Sequence, residues 1–472
     1  MSNVSSEPPS SPFVSSSVPP VDVPLPGLWR VTWPLFVSLS LSLSLSFTDA
    51  FFLSRISDSA AAAAGAINPL LGATVVLFSV MGQAGASVAG RLHGARRHAE
   101  LPRTYLAMLL FNLTLGLAIS AALFLLHTKV PGWLGLRGEA AEAAETYMAV
   151  LGGCQVLKAV QLAYGNMLTS RGETRWVMIE AIATNVANIG LNLALLKGVW
   201  GLQQSVGLVA GATMLALSFG MLFTIAVVHV RFRVRFPVRS SLAELRLALR
   251  PILKIGLPSV AEPVSYQFAQ VTINLLVITL GAAALATRTY VQSFVMISSI
   301  LWSLALGLGT QIAISHRVGA GKLDEANEQL HRALLYAVAG NGLIALGLAL
   351  AHRPLLGMLT QDREILRMAA PLFALGVLVE MGRAVNIVAG GALRSTGDAS
   401  YVAIVGSTLM WSVGVPAAFL FGSRLGFGLT GVWMSMALDE CLRGIVSYRR
   451  WRTGRWRTTS ALAPAAHVEL AS

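Results

Sequence analysis

The stretch Trp33-Pro34-Leu35-Phe36-Val37-Ser38-Leu39-Ser40-Leu41-Ser42-Leu43-Ser44-Leu45-Ser46-Phe47-Thr48-Asp49 decides the fold. Its Ser/Leu alternation has period two, the mark of a half-buried strand. The rest of the chain excludes that reading. Of 472 residues 55% are hydrophobic and only 12% charged, and mean hydropathy is +0.66, whereas a soluble domain carries about a quarter charged residues. In lipid an open strand edge leaves backbone groups unpaired, and a barrel needs many short alternating segments where this chain has long continuous apolar ones. Read as a helix, the stretch sets Ser42, Ser46 and Asp49 at i, i+4 and i+7 on one polar stripe, with hydroxyls able to bond carbonyls one turn back.

A helix crosses a bilayer with about 20 mainly apolar residues. Runs of that kind fall at 33–55, 62–90, 104–127, 145–169, 174–196, 206–230, 254–280, 285–315, 332–352, 366–392, 400–421 and 428–448. They predict an all-α integral membrane protein with 12 transmembrane helices. Residues 1–27, rich in Ser and Pro, are expected to be a disordered tail, and 451–472 a second tail. The net charge of +13 is not that of a nucleic-acid binder, because the cations sit at the edges of the apolar runs. Assigned loop by loop, 23 Lys and Arg fall on the side of the two termini and nine on the other, leaving Lys158, Arg383 and Arg443 within spans. The positive-inside rule then puts both termini in the cytoplasm and the protein in the cell's inner membrane. Cys154 and Cys441 both lie in apolar runs and read as small core hydrophobes.

The chain is duplicated. Ser170-Arg171-Gly172-Glu173 matches Ser395-Thr396-Gly397-Asp398 at an offset of 225, and Gly94-Ala95 matches Gly319-Ala320 at the same offset. Trp33-Pro34 matches Leu257-Pro258, and Gly207-Leu208 matches Gly428-Leu429. Two six-helix lobes follow, residues 28–230 and 254–450, pseudo-symmetric around a central cavity and joined by a basic cytoplasmic linker over 231–253.

The pattern Pro34…Asp49-Ala50-Phe51-Phe52 and the segment Gly256-Leu257-Pro258…Glu262 resemble the multidrug and toxic compound extrusion (MATE) transporters. So do Gly391-Ala392-Leu393-Arg394-Ser395-Thr396-Gly397-Asp398 and the closing Gly431-Val432-Trp433…Asp439…Arg443…Gly454-Arg455-Trp456. The likeness covers residues 28 to 456. It implies a V-shaped pair of six-helix lobes that exports organic cations or drugs in exchange for H⁺ or Na⁺.

A charge at bilayer depth costs about 2.5 to 3.5 kcal/mol on insertion scales, so each one calls for a partner or a task. Asp49 lies two thirds along the first span, where desolvation disfavours the charged form, as proton coupling requires. In the fifth span Asn188 and Asn192 share a face at i, i+4. By the resemblance, Asp49 matches the family's first-helix carboxylate, Asn188 its fifth-helix Asn, and Asn192 a position where some members carry Asp. With Asn at 192 the amino-terminal lobe has one obvious coupling carboxylate, which favours a proton over Na⁺. Alternatively, these residues only bond helices together.

In the carboxy-terminal lobe Glu262 matches the family's seventh-helix glutamate and has no cation near it in sequence. Glu380, Arg383 and Asn386 form an i+3 stripe on the tenth span, a substrate or second cation site or else a self-neutralising pair. Arg383 stands where some members carry an acid. Subtracting 225 from this stripe gives Gln155, Lys158 and Gln161. Gln155, Gln161, Tyr266 and Met296 are the cavity candidates, since rings and thioethers accept varied ligands. Glu180 reads as a snorkelling boundary residue, Asp439, Glu440 and Arg443 as an intrahelical ion pair, and Glu173 and Asp398 as acids resting near helix starts.

The expected activity is secondary antiport of amphipathic or cationic compounds coupled through Asp49. The alternative is a lipid-linked saccharide flippase of the same superfamily, which needs a cationic cavity and for which the spans offer only Lys158 and Arg383. No phosphate-binding lysine loop, metal-ligand spacing or nucleophile–base set points to ATP, a metal or an enzyme. The partners implied are small-molecule drugs or toxic organic cations and membrane lipids, with no cofactor beyond the coupling ion and a monomer expected.

Overall fold

The computed structural model describes residues 25–199, 205–237 and 239–459. The expected tail at 1–27 therefore lies almost wholly outside the described residues, as does the end of the second tail. The alternating stretch is helical, within α1 (Leu28–Ser54). Two of its serines bond back along the helix, Ser40 Oγ donating to the Phe36 carbonyl at 2.9 Å and Ser42 Oγ to that of Ser38 at 3.0 Å, while Ser38 Oγ donates across to the Val177 carbonyl at 3.4 Å. The hydroxyls are thereby shielded without a strand ladder.

Then follow α2 (Asp58–Gly94), α3 (Leu101–Leu126), α4 (Glu139–Gly153 and Gln155–Ser170, broken at Cys154), α5 (Thr174–Leu196) and α6 (Val206–Arg231). The second lobe holds α7 (Leu242–Thr279), α8 (Ala282–Val295, a π turn Met296–Ile300, then Leu301–Gly319), α9 (Leu323–Leu350), α10 (Arg363–Ser395), α11 (Ala399–Arg424) and α12 (Gly428–Arg452). There is no strand among the described residues. Nine helices among them are long and apolar enough to cross a membrane. The other three, α4, α7 and α12, are diluted by the break at Cys154, by Pro251, Pro258 and Pro263, and by Asp439, Glu440 and Arg443.

Several helices start earlier or end later than expected: α4 begins at Glu139 and not 145, α9 at Leu323 and not 332, and two boundaries bear on the domain limits. α7 begins at Leu242, because Ser241 and Glu244 form a capping box, so the second half of the segment 231–253 is helix and not linker. α12 runs on through Arg452, and the short helix Trp456–Thr459 folds back by stacking Trp456 on Trp451 at 4.1 Å. The glycines of the repeated motif, Gly172 (φ +74°) and Gly397 (φ +91°), end α4 and α10 in the left-handed region.

The lobes meet where α2 and α8 end, on the face that also carries Leu28 and Trp451. A Cβ on Gly94 would collide with the His316 carbonyl and one on Gly319 with the Arg91 carbonyl, so only glycine allows this crossing. Around it His93 stacks on His316 with centroids 5.8 Å apart and planes 3° from parallel. His316 Nε2 donates to the Ser170 carbonyl at 2.7 Å, and Gln311 Nε2 to Ser87 Oγ at 2.7 Å. The contact closes this terminal face. Toward the opposite face lies a cavity of ≈ 790 Å³ between α1 and the α7, α8, α10 and α12 wall.

Candidate functional site

Asp49 is 4% exposed although it sits on α1 amid an apolar bundle. The stripe of α1 turns it toward α5 and α6. Thr213 Oγ1 donates to its Oδ1 at 2.7 Å and Asn188 Nδ2 donates to the same oxygen at 3.2 Å, while Asn188 Nδ2 also lies 2.9 Å from Thr213 Oγ1. No Lys or Arg pairs with it among the described residues; its partners are neutral. Asn192 lies one turn further along, fully buried, and donates to the Asn188 carbonyl at 3.0 Å instead of reaching Asp49. The Oδ1 atoms of Asn188 and Asn192 have no partner. A carboxylate beside oxygens with free lone pairs, away from any fixed cation, can exchange a proton or hold a small cation.

The structure thus joins Asp49 to Asn188 and leaves Asn192 as the next step of the same α5 stripe. Thr213 is a partner that sequence reasoning missed; a single Thr in an apolar run carries no signal of its own. Glu180 also departs from expectation. It does not snorkel but lies buried on that stripe, accepting from Gln161 Nε2 and, at 2.8 Å, from Thr184 Oγ1. Lys158 Nζ donates to Gln161 Oε1 at 3.1 Å. Lys158, Gln161 and Glu180 line a smaller cavity of ≈ 170 Å³ nearer the terminal face.

The carboxy-terminal lobe is built otherwise. Glu262 is not free of cations: the guanidinium of Arg394, brought over from α10, pairs with it. Arg383 pairs with Glu380 and, at 3.2 Å, with Glu440 of α12, whose other oxygen accepts from Asn386 Nδ2 at 3.0 Å. Arg443 holds Asp439 at 2.7 Å and Glu440 at 3.1 Å, the expected intrahelical pair enlarged into a network between two helices. Asp398 is not merely at a helix start, since Arg450 grips it at 2.7 Å, and Glu173 pairs with Arg175 at 2.9 Å.

Of the cavity candidates, Tyr266 and Met296 line the large cavity and Gln161 the small one. Gln155 lines neither; it accepts from Thr74 at 3.1 Å and donates to the Leu151 carbonyl at 3.2 Å, which fills its amide's needs. Glu380 and Arg383 also face the large cavity. The π turn at Met296–Ile300 widens α8 beside it, a local feature common at binding sites.

A bundle of two repeated six-helix lobes, with an unpaired buried acid in one and a cavity between them, defines a multi-pass membrane transporter. The MatE family profile matches residues 34–194 and 258–420, one block in each lobe, and the chain belongs to that family. It is 31% identical over 431 residues to the uncharacterized transporter YisQ of Bacillus subtilis (strain 168), covering 91% of this chain and 94% of that one. It is 23% identical over 441 residues to the probable multidrug resistance protein NorM of Thermotoga maritima, covering 92% and 94%. A crystal structure of MATE in the bent conformation superposes with a TM-score of 0.81 at 22% identity, over 92% of this chain and 96% of that one. A MOP superfamily transporter from Pyrococcus furiosus, described as having a binding pocket of reversed polarity, superposes at 0.78 with 21% identity, over the same shares.

Proposed function

We propose that this chain is a secondary active multidrug exporter of the inner membrane, moving amphipathic or cationic compounds out in exchange for H⁺, or Na⁺, through Asp49. The observation that carries the reading is the carboxylate of Asp49, buried and bonded only to neutral Thr213 and Asn188. Protonation removes its charge and weakens what it accepts, which biases how α1, α5 and α6 pack. An ion and a drug that each favour a different arrangement of the lobes are then coupled by linkage. The names borne by the NorM relatives support a drug-like substrate. With both termini in the cytoplasm, the closed terminal face is the cytoplasmic one and the large cavity faces outward.

The test is uptake of a fluorescent organic cation into everted vesicles under separately imposed pH and sodium gradients. A pH gradient alone is expected to drive it, and Asp49→Asn to abolish it while the protein still inserts. Transport that survives in that variant would remove Asp49 from the mechanism.

A further inference from the structure

The large cavity holds a cation that the sequence places elsewhere. Arg288 is counted among the nine basic residues on the side facing away from the termini, at the edge of the run 285–315, yet α8 starts at Ala282 after Gly281, whose φ of +105° sets the turn. Arg288 therefore lies about 9 Å inside the helix, lines the cavity, and is 2% exposed. A snorkelling arginine would show its head group to the interface; this one does not.

Its charge has no counter-ion. Nη2 donates to Gln270 Oε1 at 2.6 Å, while Nε and Nη1 have no partner, and none of the ion pairs among the described residues includes it. The nearby acids are already committed. Glu380, Glu440 and Asp439 are shared between Arg383 and Arg443. Along the same wall Gln267, Gln270 and Asn274 follow one face of α7, and Gln292 lies one turn beyond Arg288. Across the cavity α1 presents apolar Leu43 and Phe47. Glu380 Oε2, also unpartnered, belongs to a residue of the same lining.

A desolvated guanidinium whose Nε and Nη1 both lack partners, beside amides and opposite an apolar wall, suits a planar carboxylate carried by an amphipathic body. We infer that Arg288 anchors the anionic group of a carboxylate-bearing, zwitterionic substrate in the large cavity, with the unpartnered Oε2 of Glu380 receiving the basic end. This deepens the exporter reading and rests on it. It narrows the compounds from cations in general to those that also carry an acid.

Rhodamine 19 and rhodamine 6G make the matched probes, since the second is the ethyl ester of the first and lacks its carboxylate. Binding to the purified full chain is read by fluorescence anisotropy in a neutral detergent. Arg288→Met is expected to weaken binding of the acid by about tenfold, the range of a lost charge-assisted bond, and to leave the ester unchanged; Arg288→Lys should recover part of the loss. Equal loss of both dyes, no loss of either, or no binding of the acid by the wild type overturns the inference. Displacement of the acid by phosphatidylglycerol at equimolar amounts would make a lipid head group the occupant and overturn it too. Because binding is read without a gradient, failure here leaves proton-driven transport standing, and failure of Asp49→Asn to stop transport leaves the acid-against-ester difference intact.

Discussion

The two lobes share one topology and treat buried acids in opposite ways. In the first, Asp49 meets only neutral donors. In the second, Glu262, Glu380, Glu440 and Asp439 are all held by guanidinium groups. A buried acid gripped by arginine ties its surroundings together as a strut, whereas one among hydroxyls and amides can lose its charge without stranding a cation. Duplication supplied the frame twice; the polar residues then diverged so that one copy holds Asp49 with neutral donors and the other holds its acids with guanidinium groups.

The sharpest way to break this contrast is to neutralise one acid in each lobe. Glu440→Gln removes the carboxylate that Arg383 and Arg443 share, leaving each with one acid, and is expected to cost about 1.5 to 3 kcal/mol, the range of bonds to charged groups, read as a drop in thermal unfolding temperature in detergent. Asp49→Asn should cost under about 1.5 kcal/mol by the same measurement while stopping transport. If the two variants unfold alike, the division between strut and switch is wrong. Asn192→Asp sharpens it by adding a second acid one turn from Asn188, where two like charges need a cation between them. That variant is expected to bring sodium dependence to both efflux and unfolding temperature, and a variant indifferent to sodium would argue against a cation-ready pocket there. Thr213→Val, which removes one donor to Asp49, should slow pH-driven uptake several-fold, with Thr213→Ser near wild type. The smallest effect is expected at the seam. Gly94→Ala forces a methyl group against the His316 carbonyl, so Ser87→Cys, on a background without Cys154 and Cys441, should react a few-fold faster with a charged maleimide than in the parent.

Much of the frame was legible because it is written in long-range regularities: apolar runs of bilayer length, a 225-residue offset, and glycines at helix ends. The Asp49–Asn188 meeting was also within reach, since both are polar residues stranded at depth. What stayed hidden was which distant residue answers each charge. Glu262 and Arg394 are 132 positions apart, and Asp49 and Thr213 164. Such partners are chosen by packing between helices, which leaves no periodic trace in either one. Glu180 and Arg288 were misjudged for a related reason: each lies about two turns or less from a helix end, and only the folded bundle shows whether so long a side chain turns outward or inward.

The seam between the lobes has a property that belongs to paired subunits. Gly94 abuts His316 and Gly319 abuts Arg91, and the 225-residue shift that carries 94 to 319 also carries 91 to 316. Each copy thus offers the other the same patch and receives it back, the reciprocity of a twofold homodimer, here enclosed in one polypeptide. Such a clasp has no half-open form of lower strain: easing one crossing eases its mate, and the gate they make must part along its whole length at once.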